Sequence, residues 1–235
     1  MDESHTPDST LGGDAGSAVD YTRPFMEQLP VSGAAVSTMG ELLGTETISA
    51  SDPVAARLDE LQFDLGEGPC WDAVRLRRPV MEADVRGRPS QVWPAFSQAA
   101  LDEGVAALYA FPMLIGPLRI GAIDMYSREA RTLDPSQTKQ AELLADLAGR
   151  RVLQRALRAM TEDYSEDTGN PYSRRIVHQA TGMVLAQLSM SADDALLVIQ
   201  AHAFATNRPM MEVSQDVLDG RLDLSAVEGE GESSA

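Results

Sequence analysis

With 235 residues and 43% hydrophobic content, the chain is long enough for one or two domains and has the composition of a globular protein. No apolar run approaches the roughly 20 residues that a membrane-spanning helix needs, and the only cysteine, Cys70, excludes a disulfide framework and a multi-thiolate metal site. The formal net charge of −17 disfavours contact with phosphate. However, thirteen of the 36 acidic residues lie in residues 1–20, 161–170 and 222–235, which contain no Lys or Arg.

The N-terminal segment, residues 1–20, is predicted to be a disordered leader, because Gly, Ser, Thr and Asp dominate it without periodicity. It lacks the basic start and the apolar stretch of a secretory signal. Together with the lack of a long apolar run, this predicts a cytoplasmic protein with no membrane partner.

Helix and strand patterns alternate between residue 21 and about residue 127. Apolar residues at helical spacing, such as Val54, Leu58 and Leu61, alternate with short runs of small and β-branched residues that end in turns such as Gly116-Pro117. The predicted helices are 21–29, 53–65 and 93–103, and the predicted strands are 31–39, 42–50, 79–83, 105–115 and 118–126. This mixture predicts an α+β domain in which a mixed sheet has flanking helices.

A long helix is predicted to complete this domain, whose expected bounds are 21–160. Asp134 is a good N-cap, Pro135 fits the first helical position, and Gln137 can complete a capping box. A helix of about 25 residues is roughly 37 Å long and projects beyond a small domain. Its far end can pack back on the sheet or meet a second copy of the chain, and we favour a homodimer.

The last module is predicted to be an all-α bundle of three helices over residues 170–221, between an acidic linker at 161–169 and a disordered acidic tail at 222–235. Asn170-Pro171 begins the first helix and Ser191 caps the second. Asn207 can end the second helix in the left-handed region, and Pro209 begins the third. Three short helices cannot bury their apolar faces singly, so we expect them to pack together.

This module resembles the ANTAR family. The matching residues are 173–185, which contain an Arg-x-x-x-x-Ala-x-Gly pattern, together with Ala195, Ala201-His202-Ala203, Asn207, Val213 and Val217. The resemblance covers about 50 residues and implies an RNA-binding transcription antiterminator. Such proteins hold paired hairpins with short loops in nascent transcripts, and so prevent an overlapping terminator from forming.

The resemblance implies an RNA-binding site at Arg174, Arg175, Ala180, Thr181 and Gly182. The arginines can contact phosphates and stack on loop bases, and the small residues leave a shallow face for an RNA backbone. Thr181 stands where family members often carry Lys. Gly182 costs about 1 kcal/mol relative to Ala inside a helix, which tight helix packing or RNA approach must offset. The residues alone favour tight helix packing as the reason for Gly182, whereas the resemblance to the ANTAR family favours the approach of RNA.

The N-terminal domain resembles a GAF domain of the type that actinobacterial regulators fuse to ANTAR. The residues that carry the resemblance are 65–73, 93–96, 104–105, 110–113 and 121–124. The resemblance covers roughly residues 21–160 and implies a sensor of a small molecule or of redox state on a dimeric scaffold.

The sequence identifies no cofactor and leaves the GAF ligand an unknown small molecule, with Cys70, Trp71 and Trp93 as candidate contacts. None of the three histidines lies in this domain, which disfavours a His-ligated haem or metal. Cys70 precedes a predicted helix start, where a thiolate is favoured, but a buried and inert cysteine is the preferred interpretation. The two tryptophans can line a pocket, although core packing is the commoner role for such residues.

We weigh four function classes. An RNA-binding antitermination regulator is favoured, and a GAF-based protein–protein or dimerisation regulator whose bundle does not bind RNA is the alternative. A DNA-binding role is disfavoured because Met210–Leu218, the third helix, has no Lys or Arg to read bases. An enzyme is the least favoured class, since the sequence offers no nucleophile–base pair, phosphate-binding glycine loop or metal-ligand spacing.

Overall fold

The computed structural model describes residues 19–40, 43–87, 92–161 and 174–224. Most of the predicted leader, acidic linker and acidic tail, and the Asn170-Pro171 helix start, lie outside these residues. The fold consists of an N-terminal α+β domain, a long helix and a C-terminal helical bundle, which confirms the predicted fold class.

The α+β domain is built on one five-stranded sheet with the strand order β2-β1-β5-β4-β3. The strands are β1 (Gly33–Thr38), β2 (Glu46–Ala50), β3 (Val80–Glu82), β4 (Ala107–Ile115) and β5 (Leu118–Ser127). All four pairings are antiparallel, which corrects the expected mixed sheet. The two hairpins, β1–β2 and β4–β5, explain part of this result, because a tight turn can join only antiparallel neighbours.

Five helices belong to this domain: α1 (Arg23–Gln28), α2 (Pro53–Leu65), α3 (Pro69–Leu76), α4 (Pro94–Asp102) and α5 (Pro135–Thr161). Local signals fix their ends. The Asp52 side chain accepts hydrogen bonds from the backbone N–H groups of Val54 and Ala55 at the start of α2, and Gly66, at φ 64°, ends that helix.

The sheet has a hydrophobic core on each face. On one face α1 and α5 pack against β4 and β5, and the predicted stripe of α5, which is Ala141, Leu144, Ala148 and Val152, is buried there. On the other face α2 and α4 contribute Leu58 and Phe96 to a second core. Leu143 and Leu147, on the outer side of α5, are about half exposed.

The C-terminal bundle contains α6 (Arg175–Leu188), α7 (Ala192–Thr206) and α8 (Met210–Leu218). Ser191 caps α7 by accepting a hydrogen bond from the Asp194 N–H, and Asn207 ends it at φ 51°. Val184, Ile199 and Val213 meet in the bundle core with no exposed surface. Leu224 also packs into this core, so the buried residues extend past the predicted boundary at 221.

Among the helices of the described residues, none is by itself both long and apolar enough to span a membrane. Only α6 and α7 taken together, across a bend of 107°, reach that length and hydropathy.

Candidate functional site

Gly182 lies at the middle of α6 on a solvent-exposed face. A Cβ atom built at this position would meet no atom of the described residues within 4 Å. Close helix–helix packing among the described residues therefore does not account for the glycine.

The exposed face of α6 holds Arg175, His178, Gln179, Gly182 and Ala186. These residues are spaced three or four apart and therefore follow one side of the helix. His178 and Gln179 were not among the residues expected from the sequence, although helical spacing from Gly182 would have indicated them. The result is a polar surface with one arginine and one open backbone position.

Ala180 and Thr181 face the bundle interior instead. Ala180 has no exposed surface, and Thr181 is 9% exposed, with its hydroxyl donating a hydrogen bond to the Val177 carbonyl at 2.8 Å. The structure thus brings Arg175 and Gly182 to a common surface but does not bring Ala180 or Thr181 there.

Arg174 is buried against the α+β domain. Its guanidinium lies 4.0 Å from the centroid of the Phe63 ring, and its Nη1 atom lies 3.9 Å from Asp64 Oδ1. Burial lowers the pKa of Arg174, while Asp59 and Asp64 act in the opposite direction. In this arrangement Arg174 does not share the exposed face with Arg175.

Two further arginines of the bundle are already paired. Arg208 contacts Asp216 at 2.6 Å, and Arg221 contacts the same carboxylate at 2.7 Å. Both cations are therefore partly neutralised next to α8. This leaves α8 poorly suited to contact phosphates.

A cleft of about 580 Å³ opens in the α+β domain where α3, the start of α4 and the ends of β1 and β5 meet. Trp71 and Trp93 both line it, together with Met39, Gly40, Gly66, Glu67, Gly68, Asp72, Val74, Arg75, Val92 and Arg119. Trp93 Nε1 donates a hydrogen bond to Asp72 Oδ2 at 3.1 Å, and Trp71 Nε1 donates one to the Gln62 carbonyl at 2.8 Å. Both indoles are thus held in place, but Trp93 is 8% exposed and packs in the second core, whereas Trp71 is partly exposed to the cleft.

Cys70 does not line this cleft. Its side chain is fully buried in a cluster with Met39, Phe63, Val74 and Ala122. Burial raises the pKa of the Cys70 thiol well above its ordinary value, and the nearby carboxyl groups of Asp124 and Asp59 raise it further. The neutral thiol is the form that this environment favours.

Two carboxyl groups, of Asp59 and Asp124, are buried between the sheet and α2. Ser37 Oγ donates a hydrogen bond to Asp59 at 2.6 Å, and Thr47 Oγ1 donates another to the same oxygen. Burial and the charge of Asp59 raise the pKa of Asp124, and the nearby Gln62 side chain offsets part of this effect. Within the described residues, neither Asp124 oxygen has a hydrogen-bond partner of good geometry. The sequence pattern gave no signal of this pair.

Among the described residues, no cluster of three or more His, Cys, Asp or Glu side chains is placed to hold a metal ion.

The five-stranded sheet, the cleft and the attached bundle define an α+β domain followed by an all-α module. The family model of the GAF domain matches residues 25–153, which is more than half of the chain, so the chain belongs to the GAF domain family. The model of the ANTAR domain matches residues 171–218. The chain is therefore a regulator of the GAF–ANTAR kind, and both of its domains are of regulatory rather than catalytic types.

Solved structures similar to this chain include GAF domains from several organisms. A GAF domain/HD domain protein from Geobacter sulfurreducens is 16% identical, with 59% of this chain and 90% of that chain covered at a TM-score of 0.45. The GAF domain of a two-component sensor histidine kinase from Bacillus halodurans is 9% identical, with coverages of 58% and 91% and a TM-score of 0.46. A type II free methionine-R-sulfoxide reductase from Thermoplasma acidophilum is 17% identical, with coverages of 56% and 86% and a TM-score of 0.40. The comparison with curated proteins finds no significant match.

Proposed function

We propose that this protein is a cytoplasmic transcription antitermination regulator, in which the ANTAR bundle binds paired hairpins of nascent transcripts under the control of the GAF domain. The observation that carries the proposal is the exposed face of α6, where Gly182 leaves open space about two turns along the helix from Arg175. The ANTAR family assignment gives the expected partner, which is RNA.

The chemistry of this face suits the loop of a hairpin. Sequence-specific RNA readers mostly contact unstacked loop bases, on which an arginine guanidinium can stack, and the adjacent phosphates. Arg175 can supply the cation, while His178 and Gln179, one turn away from Gly182, can donate hydrogen bonds to base edges or phosphates. Gly182 lets an RNA backbone approach the helix where any other residue would project a side chain.

A second copy of the chain would present two such faces to a pair of hairpins. Leu143 and Leu147 lie one turn apart on the outer side of α5 and are 48% and 54% exposed. Their burial against the same helix of a second copy would remove apolar surface from water. We therefore propose a homodimer that forms through α5.

The GAF domain would supply the signal. Its cleft combines two indoles with the acidic groups of Glu67 and Asp72 and the cations of Arg75 and Arg119 at its edge. Such a lining suits a small planar molecule that carries polar substituents.

A gel-shift assay with an RNA that carries two hairpins tests the proposal. The control RNA keeps both stems and scrambles both loops. We expect tighter binding to the native loops at moderate salt, and weaker binding to native loops by the Arg175→Ala variant. Equal affinity for native and scrambled loops would contradict loop recognition.

The alternative is a protein–protein or dimerisation regulator whose bundle does not bind RNA. The burial of Arg174 and the pairing of Arg208 and Arg221 with Asp216 favour it, because they leave few cations for phosphate. Crosslinking in cells distinguishes the two functions, since a dimer that protects no RNA would support the alternative.

A further inference from the structure

We propose that the C-terminal end of GAF helix α2 is a docking surface for the chain's own ANTAR bundle, and that docking withholds Arg174 from RNA. The surface consists of Phe63, Asp64 and Gly66, and we call it the α2 docking surface. The inference rests on the proposed function, because it assumes that Arg174 contributes to RNA binding.

Arg174 inserts its side chain into this surface just before α6 begins. The guanidinium stacks on the Phe63 ring at 4.0 Å from the centroid and faces Asp64 at 3.9 Å. The side chains of Arg174 and Asp64 are 7% and 10% exposed. A cation with so little exposed surface cannot also contact a phosphate, so docking and RNA contact by Arg174 exclude one another.

Gln200 of α7 provides a second contact. Its Nε2 group donates hydrogen bonds to the carbonyls of Phe63 at 3.2 Å and Asp64 at 2.9 Å. The Phe63 carbonyl also accepts the N–H of Gly66, which caps α2, at 3.3 Å, and carbonyls in the last turn of a helix otherwise lack a partner within it. Gly66 leaves room for this amide, because a Cβ atom there would lie 2.9 Å from Gln200 Nε2.

Asp64 provides the third contact by reaching the start of α8. The backbone N–H of Met210 donates a hydrogen bond to Asp64 Oδ2 at 3.2 Å. This N–H is among those at a helix start that lack a partner within the helix, where a carboxylate is favoured. One GAF residue thus contacts the segment before α6 and the start of α8.

In the part of the chain that the structure describes, some buried polar atoms at this contact lack hydrogen-bond partners, which suits a contact that forms and breaks reversibly. Within the described residues, Arg174 Nε and Asp64 Oδ1 have no hydrogen-bond partner, and buried charges without full hydrogen bonding are costly. Clefts of about 400 Å³ lie on two sides of the contact, one lined by Arg57, Glu60 and Met211, the other by Leu61, Phe204 and Pro209. The bundle is therefore held by a few polar contacts rather than by a sealed apolar interface.

Phe63 also connects the docking surface to the cleft that we propose as the sensor site. Its ring meets the edge of Trp71 in a T-shaped arrangement, with centroids 5.6 Å apart, while its face carries Arg174. A ligand that moves Trp71 would disturb the ring on which Arg174 rests. This contiguous contact offers a route by which ligand binding can change the exposure of Arg174.

The experiment uses the full chain and the Gln200→Ala variant, which removes both hydrogen bonds to α2. Gln215→Ala is the matched control, because that amide bonds only to Asp219 within α8 and its flank. Modification by phenylglyoxal, followed by mass spectrometry, reports docking: Arg174 should react far more slowly than the exposed Arg175 in the parent. Fluorescence anisotropy with the two-hairpin RNA reports binding.

We expect Gln200→Ala to speed modification of Arg174 and to bind RNA about tenfold more tightly, which corresponds to about 1.4 kcal/mol. Gln215→Ala should change neither. Asp64→Asn, which removes the charge that faces Arg174 while keeping the shape, provides a second variant in case Gln200→Ala does not fold.

Faster modification of Arg174 with unchanged RNA affinity would overturn the inference, and so would equal modification of Arg174 and Arg175 in the parent. If parent and variants alike fail to prefer native over scrambled loops, the proposed function fails and the inference fails with it. If the chain binds RNA with a preference for native loops but its affinity does not change when the bundle is released from the α2 docking surface, only this inference is rejected.

Discussion

Replacing Gly182 with alanine tests whether this glycine is needed for RNA binding or for packing of the bundle. Glycine inside a helix is about 1 kcal/mol less favourable than alanine, and the added methyl group would meet nothing within 4 Å. The Gly182→Ala variant should therefore stabilise α6 by about 1 kcal/mol, a roughly fivefold shift in its local opening equilibrium. If RNA approaches the helix backbone at this position, the same methyl group should weaken RNA binding, and we expect a loss of at least about tenfold.

Hydrogen exchange of the α6 amides in the full chain measures the first effect, and anisotropy with the two-hairpin RNA measures the second. Ala186→Gly, one turn further along the same exposed face, is the matched control and should destabilise α6 by a similar amount. If Gly182→Ala stabilises α6 and binds RNA as tightly as the parent, the RNA backbone does not approach the helix at this glycine. A destabilised variant would show that the glycine has a packing role in the protein.

Three further predictions follow from the same contacts. Arg175→Ala should weaken RNA binding and reduce the slope of log affinity against log salt by about 1, which titrations at several salt concentrations measure. If the proposed homodimer forms through α5, Leu147→Asp should convert it to a monomer in sedimentation velocity, and an unchanged dimer would exclude α5 as the interface. Burial raises the pKa of Asp64 from 3.8 to about 6, so the folded state holds the proton more tightly than the unfolded chain. As pH falls from 7 to 5, the parent should therefore gain about 1 kcal/mol of unfolding free energy over Asp64→Asn in urea titrations.

Helix bounds were predictable where local residues set them. The predicted helix at 53–65 is confirmed as α2, because Asp52, Pro53 and Gly66 act within one turn of its ends. Ser191 and Asn207 likewise bound α7 as predicted. These signals depend only on neighbouring backbone groups, so the sequence contains the whole interaction.

The residues on the exposed face of α6 were partly predictable from helical spacing, but the family pattern led to a different set. Successive residues of a helix are rotated by about 100°, so positions 180 and 182 lie about 200° apart and cannot share a face. The family pattern presents Ala180, Thr181 and Gly182 as one unit, whereas the structure buries the first two in the bundle and exposes the third. Helical spacing from Gly182 would instead have selected His178 and Gln179.

The burial of Arg174 could not be predicted from local sequence. Its partners Phe63 and Asp64 are more than 100 positions earlier in the chain, and an arginine next to a helix start is ordinarily solvated. The Asp59–Asp124 pair was missed for a related reason. Each residue lies in a pattern compatible with an exposed position, and only the packing of α2 on the sheet buries the carboxyl oxygens of both.

The enclosed pair Asp59 and Asp124 has a consequence for the range of conditions that the GAF domain tolerates. Because burial raises the pKa of both carboxyl groups, the fold retains protons that the unfolded chain would release, and this contribution to stability is lost as pH rises through the folded-state values. Ionisation of both groups as the pH rises would place like charges in an interior with little water to shield them. Two residues of an acidic chain thus set an upper bound on the pH at which the interior of its GAF domain stays intact.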